Sequence, residues 1–442
     1  MKNREQTISF IGVVALALLL PGILKLANNA VRYLVGAEGR LAAIAVETDR
    51  ELGPLPKVWR GLAQGGDNLP GFLDGLEVKV AAVKPAYIRI DHIYDQFGVV
   101  SRDSRGLVFN WGSLDKVINK IRETGAIPFL SLSYMPPALA VSDSVSPPRD
   151  WNEWALVVQR TIEHYSGEMG IDGVYYEVWN EPDLFGKWKM GGGKDYRNLY
   201  LYAARGAAAA SQVKQFKLGG PGTTGLYPNW INNFFPYILK NKIRLDFFSW
   251  HRYDLDVGRY SDDIAKADRW IEGHPYFSQV EKIITEMAPR SEAGGANDTA
   301  VGAAHLVAVS RELMFKAKSG FSFAVSGQWG LVGKPRYQAL VLLSTLGDQR
   351  LSVTGEGSWV RAIGAKKDGV YQVILTNYDP KGSHSEVVPV SFLGLVPSDY
   401  RLRTTILGTG TTTAEIASPG AMLQKEVAMQ PNSVVLLELE VK

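Results

Sequence analysis

Val174-Tyr-Tyr-Glu177-Val-Trp179-Asn180-Glu181-Pro182 is a β-type run that closes on an acidic residue and then a proline. Val and Tyr suit a pleated backbone and Pro182 cannot continue one, so the run predicts a strand that ends close to Glu181. Similar runs recur at residues 58–63, 87–90, 127–132, 216–220, 245–250, 280–285 and 321–325. Between them, residues 71–83, 111–124, 151–169, 196–212, 230–241 and 300–318 place apolar side chains at helical spacing. Eight strands alternating with helices predict an α/β fold, a closed (β/α)8 TIM barrel over residues 58–345. An open doubly wound sheet is the alternative, but no Gly-x-Gly-x-x-Gly follows a strand to hold a dinucleotide.

From about Gly347 the pattern changes. Residues 359–364, 370–376, 387–392 and 434–439 read as short strands between Gly, Asp, Pro and Ser/Thr turns, with no helix among them. They predict a C-terminal antiparallel β-sandwich over residues 346–442. Residues 41–47 form a strand without a partner in the barrel, so the segment 31–57 is expected to be a linker whose strand joins the sandwich.

Composition narrows the chemistry. The 442 residues carry 48 Lys+Arg against 45 Asp+Glu, a net charge of +3 that gives no footprint for nucleic acid. Absence of cysteine excludes disulfides, thiol nucleophiles and Cys-ligated metals, and the six histidines form no His-Glu-x-x-His pair. Neither a metal nor a cofactor is therefore expected. The 11 Trp and 19 Tyr suit stacking on sugars as well as filling a core.

The first 30 residues stand apart. Lys2 and Arg4 precede an apolar run from Ile8 to Leu20 that resumes at Ile23 and reaches Leu26. That run has the length of a signal-peptide core and nearly the ~20 residues needed to span a bilayer. An uncleaved membrane anchor is the first expectation, with the rest of the chain on the extracytoplasmic side. Secretion after signal cleavage is the alternative.

Barrels do their chemistry at the C-terminal ends of their strands. Glu181 ends the fourth run and Glu286 the seventh, an interval of 105 residues, which equals three βα units of about 35. The two carboxylates can thus converge across the barrel mouth. Such a pair suits glycoside hydrolysis, one group protonating the leaving oxygen while the other attacks the anomeric carbon, with a separation of about 5–5.5 Å expected for retention. Arg89, ending the second run, is the candidate cation beside the nucleophile; an internal ion pair with Glu177 is its alternative role.

These residues resemble retaining glycoside hydrolases of clan A, and specifically family 39, which includes β-xylosidases, α-L-iduronidases and bacterial exopolysaccharide hydrolases. The resemblance rests on Tyr87-Ile-Arg89, Ser133-Tyr-Met-Pro-Pro-Ala-Leu-Ala140, Pro147-Pro-Arg-Asp-Trp-Asn-Glu-Trp154, Tyr176-Glu-Val-Trp-Asn-Glu-Pro-Asp183, Gly219-Gly-Pro221, His251-Arg-Tyr253 and Ile284-Thr-Glu286, in that order. It implies Glu181 as acid/base and Glu286 as nucleophile, Asn180 on the sugar 2-hydroxyl, and Tyr253 holding the nucleophile. The chain departs from the family pattern at Asp91-His92, at Met287-Ala288, at Ala324 where a tryptophan is usual, and in the short stretch from Ser326 to Gly330. His92, His251, Tyr134 and Trp329 are further substrate-binding candidates, Trp329 as a substitute sugar platform or an ordinary packed ring.

The function expected is cleavage of an extracytoplasmic polysaccharide or oligosaccharide. Endo-action is favoured because the short stretch after the eighth strand removes one wall of a pocket. An exo-acting β-xylosidase-like enzyme and a noncatalytic carbohydrate-binding protein are the alternatives. The exopolysaccharide resemblance adds export machinery as a candidate partner.

Overall fold

The computed structural model describes residues 39–418 and 420–442. Its larger unit is a closed barrel of eight parallel strands: Gly61–Gln64, Tyr87–Ile90, Ile127–Ser131, Val174–Glu177, Phe216–Thr223, Phe247–Tyr253, Glu281–Ala288 and Ser319–Phe323. The eighth strand closes on the first through Phe321 opposite Gly61 and Phe323 opposite Ala63.

Because side chains two apart on a strand share a face, the barrel interior is built in layers. Ala63, Phe129, Tyr175, Phe247, Ile283 and Phe321 form an apolar plug. Phe129 packs on Tyr175 and Phe321 with ring centres 5.2 and 5.0 Å apart. Two residues further along the same strands, Ser131, Glu177, Ser249 and Thr285 make a buried polar layer, joined by Arg89 from the second strand. The plug supplies a dry floor, and the polar layer sets the charge of whatever lies above it.

The surrounding helices differ from expectation in instructive places. Only Glu77–Ala82 is helical within residues 71–83, because Gly75 sits at φ +71°, a left-handed conformation that no α-helix contains. The expected helix over 151–169 starts on an Asp150 cap, runs as α to Ile162 and continues as a π-turn over Glu163–Glu168. The one expected over 300–318 stops at Leu313, with Phe315 at φ +65°. Helices Gly258–Ile271 and Pro335–Thr345 complete the sixth and eighth βα units.

The second unit is one nine-stranded sheet, into which the early strand Ile44–Pro54 inserts between Gln349–Thr354 and Glu386–Leu393. The first of these pairings is antiparallel and the second parallel, so the sheet is mostly, not wholly, antiparallel. Strands Gln349–Thr354, Ser398–Ile406, Gly410–Ser418 and Met422–Met429 extend it beyond the four read from the C-terminal sequence. Ile44, Val46, Leu375, Val390, Phe392, Leu402 and Leu437 share its core. Opposite residues Ile363, Ile374, Val434 and Leu436 pack instead into the barrel's cluster, which also takes in helix Ala300–Leu313. Among the described residues no helix is long and apolar enough to cross a membrane. The segment expected to be an anchor, residues 1–30, lies outside them.

Candidate active site

At the top of the polar layer the barrel mouth opens into a cleft of about 280 Å³. Glu181 and Glu286 both line it, together with Asp91, His92, Tyr134, Asn180, Tyr253 and Trp329.

Local backbone irregularities aim the two carboxylates. Glu286 follows Thr285, whose hydroxyl points down to Glu177, so simple alternation would turn Glu286 outward. A register shift between Ile284 and Glu286 against the sixth strand inserts an extra residue and swings Glu286 into the mouth. Glu181 sits at φ +45° and Trp179 at φ +77°, conformations costly for residues with a Cβ. The packing of Trp179 holds them: its ring is buried, meets Trp188 and Tyr134, and donates from Nε1 to the Phe185 carbonyl. Trp179 supports Glu181 from behind and does not line the cleft.

Arg89 occupies both roles considered for it. Its Nε donates to Glu177 Oε2 at 2.7 Å, one terminal nitrogen to Glu286 Oε1 at 2.9 Å, and the other to Asn180 Oδ1 at 2.8 Å. Burial opposes the guanidinium's charge, but Glu177 and Glu286 outweigh burial and hold its pKa above the ordinary value. Glu177 is in turn fixed by Ser249 at 2.6 Å and Thr285 at 2.9 Å.

Glu286 Oε2 accepts from the Tyr253 hydroxyl at 2.6 Å. Burial and the neighbouring Glu286 push that phenol well above its usual pKa, so it stays a donor. His251 lies beneath both carboxylates, its Nδ1 2.9 Å from Glu181 Oε1 and 3.3 Å from Glu286 Oε2. Burial pulls this imidazole's pKa down, yet the Glu286 and Glu181 charges outweigh it and the pKa lies above the ordinary histidine value. Among the described residues Nε2 is buried without a partner, so the hydrogen-bonding proton resides on Nδ1. One oxygen of Glu181, one of Glu286 and a ring nitrogen of His251 lie within 4.8 Å of one another.

Asn180 donates from Nδ2 to the Tyr134 hydroxyl at 2.9 Å. Tyr134 is almost wholly buried between His92, Trp179 and Phe185, so it forms the cleft floor rather than a platform along an open groove. His92 adopts φ +54° and binds Asp95 through Nδ1 at 2.8 Å. Trp329 is anchored at its edge: its Nε1 donates to the Ser291 carbonyl at 2.9 Å, and the neighbouring Gln328 amide donates to Asp67. The short stretch after the eighth strand is therefore tied to the loops after the first and seventh, and forms a wall.

Gly65, Gly66, Asp67, Phe185, Ser291 and Phe323 also line the cleft and were not singled out by sequence. Gly65 and Gly66 had a readable signal, since they directly follow the first strand at the functional end of the barrel. A Cβ on Gly66 would lie 2.7 Å from the His92 ring. Phe185 and Ser291 lie in loops whose path the sequence does not specify.

A sequence model described as "Glycosyl hydrolases family 39" matches residues 42–293, more than half of the chain. A "Beta-xylosidase" of Geobacillus stearothermophilus is 27% identical over 338 residues, covering 64% of this chain and 66% of the relative. A "Beta-xylosidase" of Caldicellulosiruptor saccharolyticus is 30% identical over 221 residues, 46% of this chain and 44% of the relative. This chain thus aligns with just under two thirds of the first relative and less than half of the second. Among solved structures, the GH39 enzyme of Xanthomonas axonopodis pv. citri superposes with a TM-score of 0.77 at 18% identity, over 92% of this chain and 99% of that one. A monomeric beta-xylosidase of Caulobacter crescentus CB15 gives 0.77 at 21% identity, over 91% and 100%. At these identities the superpositions speak for the fold.

Proposed function

This chain belongs to glycosyl hydrolase family 39, and on that premise we propose that it hydrolyses glycosidic bonds with retention of configuration, Glu181 acting as acid/base and Glu286 as nucleophile. The observation that carries the reading is the approach of the two carboxylates to within 4.8 Å in one cleft. Inverting pairs stand about 6.5–9.5 Å apart to admit a water between carboxylate and sugar.

In the first step Glu286 attacks the anomeric carbon, the bond to the leaving oxygen breaks, and that oxygen takes the proton of Glu181. In the second, Glu181 removes a proton from water, which attacks the same carbon and releases Glu286. Arg89 and Tyr253 supply donors to the two oxygens of Glu286 and fix its orientation. The Nδ1 hydrogen of His251 holds one oxygen of Glu181, leaving the other free to meet the leaving group.

Two modes of attack have support. A cleft of about 280 Å³ walled by Trp329 favours a chain end and release of a terminal sugar, and the relatives named as β-xylosidases agree with that mode. Endo-cleavage of a polysaccharide is supported by the exposed side chains of Leu184, Phe185 and Tyr227 on the loops after the fourth and fifth strands, which could carry further sugar rings. Product analysis on β-linked polysaccharides separates them. Monosaccharide as the sole early product, with polymer length nearly constant, fits the chain-end mode, whereas early oligosaccharides and a rapid fall in length fit the groove.

Lys2, Arg4 and the apolar run from Ile8 to Leu26 support an extracytoplasmic enzyme held at the membrane. Fractionation should find the full chain with the membrane, and deletion through Asn29 should release a soluble active protein. A mature N-terminus beyond Ala30 would instead mean secretion.

A further inference from the structure

Asp91 is a buried carboxylate that the mechanism above does not use. It directly follows the second barrel strand, is 3% exposed, and lines the cleft beside Glu286. Its Oδ1 has no hydrogen-bond partner among the described residues. The two neighbouring cations direct their hydrogen bonds to other acceptors. The three hydrogen bonds Arg89 makes among the described residues go to Glu177, Glu286 and Asn180, none to Asp91, and His92 turns its Nδ1 to Asp95.

A buried acceptor left without a donor is destabilising, and native structures keep one mainly where a ligand or water completes it. Around Asp91 the space is kept open. Gly65 faces it, where even a Cβ would stand 3.8 Å from Oδ2, and Phe323 flanks Gly65 on the other side. The cleft is thus the side from which a donor can reach this carboxylate. Asp67 and Glu286 line the same cleft, while Arg89 is already shared between Glu177 and Glu286 and His92 is turned to Asp95. A sugar bearing its own carboxylate would meet like charge there, whereas hydroxyl groups would supply the missing donors.

We propose that Asp91 is a specificity-determining residue, accepting hydrogen bonds from hydroxyls of the sugar held for cleavage, so that the site takes neutral glycosides and rejects uronides. This rests on the hydrolase reading, and the test keeps the two apart by reading binding and turnover separately. Binding of D-xylose, D-glucose and D-glucuronate is followed through tryptophan fluorescence, to which Trp329 at the cleft contributes, in wild type, Asp91→Asn and Asp91→Ser. Turnover of the corresponding 4-nitrophenyl β-glycosides is measured on the same proteins.

Wild type should bind the better neutral sugar at least about tenfold more tightly than glucuronate. Asp91→Asn, which keeps the shape and adds an N–H donor, should shrink that ratio about tenfold, with Asp91→Ser between the two. Glucuronate bound as tightly as the neutral sugars by wild type, a ratio unmoved in both variants, or no binding of any of the three would overturn the proposal. Selective binding without turnover would sink the hydrolase reading and leave Asp91's role standing. Turnover with a ratio insensitive to residue 91 would do the reverse.

Discussion

Arg89→Met removes the one side chain that joins Glu177, Glu286 and Asn180. The guanidinium is fully buried and makes three bonds of 2.7–2.9 Å, two of them to carboxylates. Methionine fills much of the volume, so the cost is chiefly electrostatic: Glu177 and Glu286 remain buried without their shared cation. Breaking one side of a buried ion pair costs about 3–5 kcal/mol. At about 2 °C per kcal/mol for a large domain, the melting temperature should fall by about 6–10 °C. Thermal melts followed by circular dichroism measure this, with a double-mutant cycle as the discriminating arm. Arg89→Met/Glu177→Gln removes one of the orphaned charges and should recover part of the loss, while activity stays abolished because Glu286 still lacks its partner. A single variant melting within about 2 °C of wild type, or a double variant with no recovery, would refute the claim that the charge network, rather than packing, gives Arg89 its importance.

Glu286→Gln should abolish turnover of every glycoside, whereas Glu181→Gln should lose about 10²–10⁴-fold on poor leaving groups and far less on 4-nitrophenolate in the first step; equal losses on both leaving-group classes would contradict the assigned roles. Asp91 is predicted to make stability depend on pH. Burial, only partly offset by His92 and Arg89, pushes its carboxyl up from 3.8 to about 6. The native state therefore holds the proton more tightly, and this contribution is fully present below pH 3.8 and lost as pH rises through about 6. Asp91→Asn should accordingly gain up to about 3 kcal/mol over wild type between pH 4 and pH 8 in urea titrations, and a constant difference would refute the assignment.

What could be read from the sequence followed from periodicity and punctuation. The barrel was legible because its eight β-type runs sit where eight strands form, and because Glu181 and Glu286 end runs three units apart. The interior layers follow the same alternation: Phe129, Tyr175, Phe247 and Ile283 lie two residues before Ser131, Glu177, Ser249 and Thr285. The aim of the carboxylates was not legible. Alternation turns Glu286 outward, and only the register shift after Ile284 reverses it, while Glu181 depends on a left-handed backbone that no propensity favours for glutamate. Helix Gly258–Ile271 was missed because six charged residues, Arg259, Asp262, Asp263, Lys266, Asp268 and Arg269, dilute its apolar stripe of Tyr260, Ile264, Ala267 and Ile271. Strand Gly410–Ser418 was missed because its side chains are nearly all exposed, leaving no alternation to read. The wall at Trp329 arises from contacts with Asp67 and Ser291 that lie far away in sequence.

The central claim is that Glu181 and Glu286 work by double displacement, and the stereochemistry of the first product tests it most directly. Proton NMR of a 4-nitrophenyl β-glycoside turned over by enough enzyme to outrun mutarotation reads the anomer as it forms. Retention predicts that the β-anomer appears first and the α-anomer only later, by mutarotation. An α-anomer formed first would mean inversion, and would contradict a mechanism built on two carboxylates within 4.8 Å.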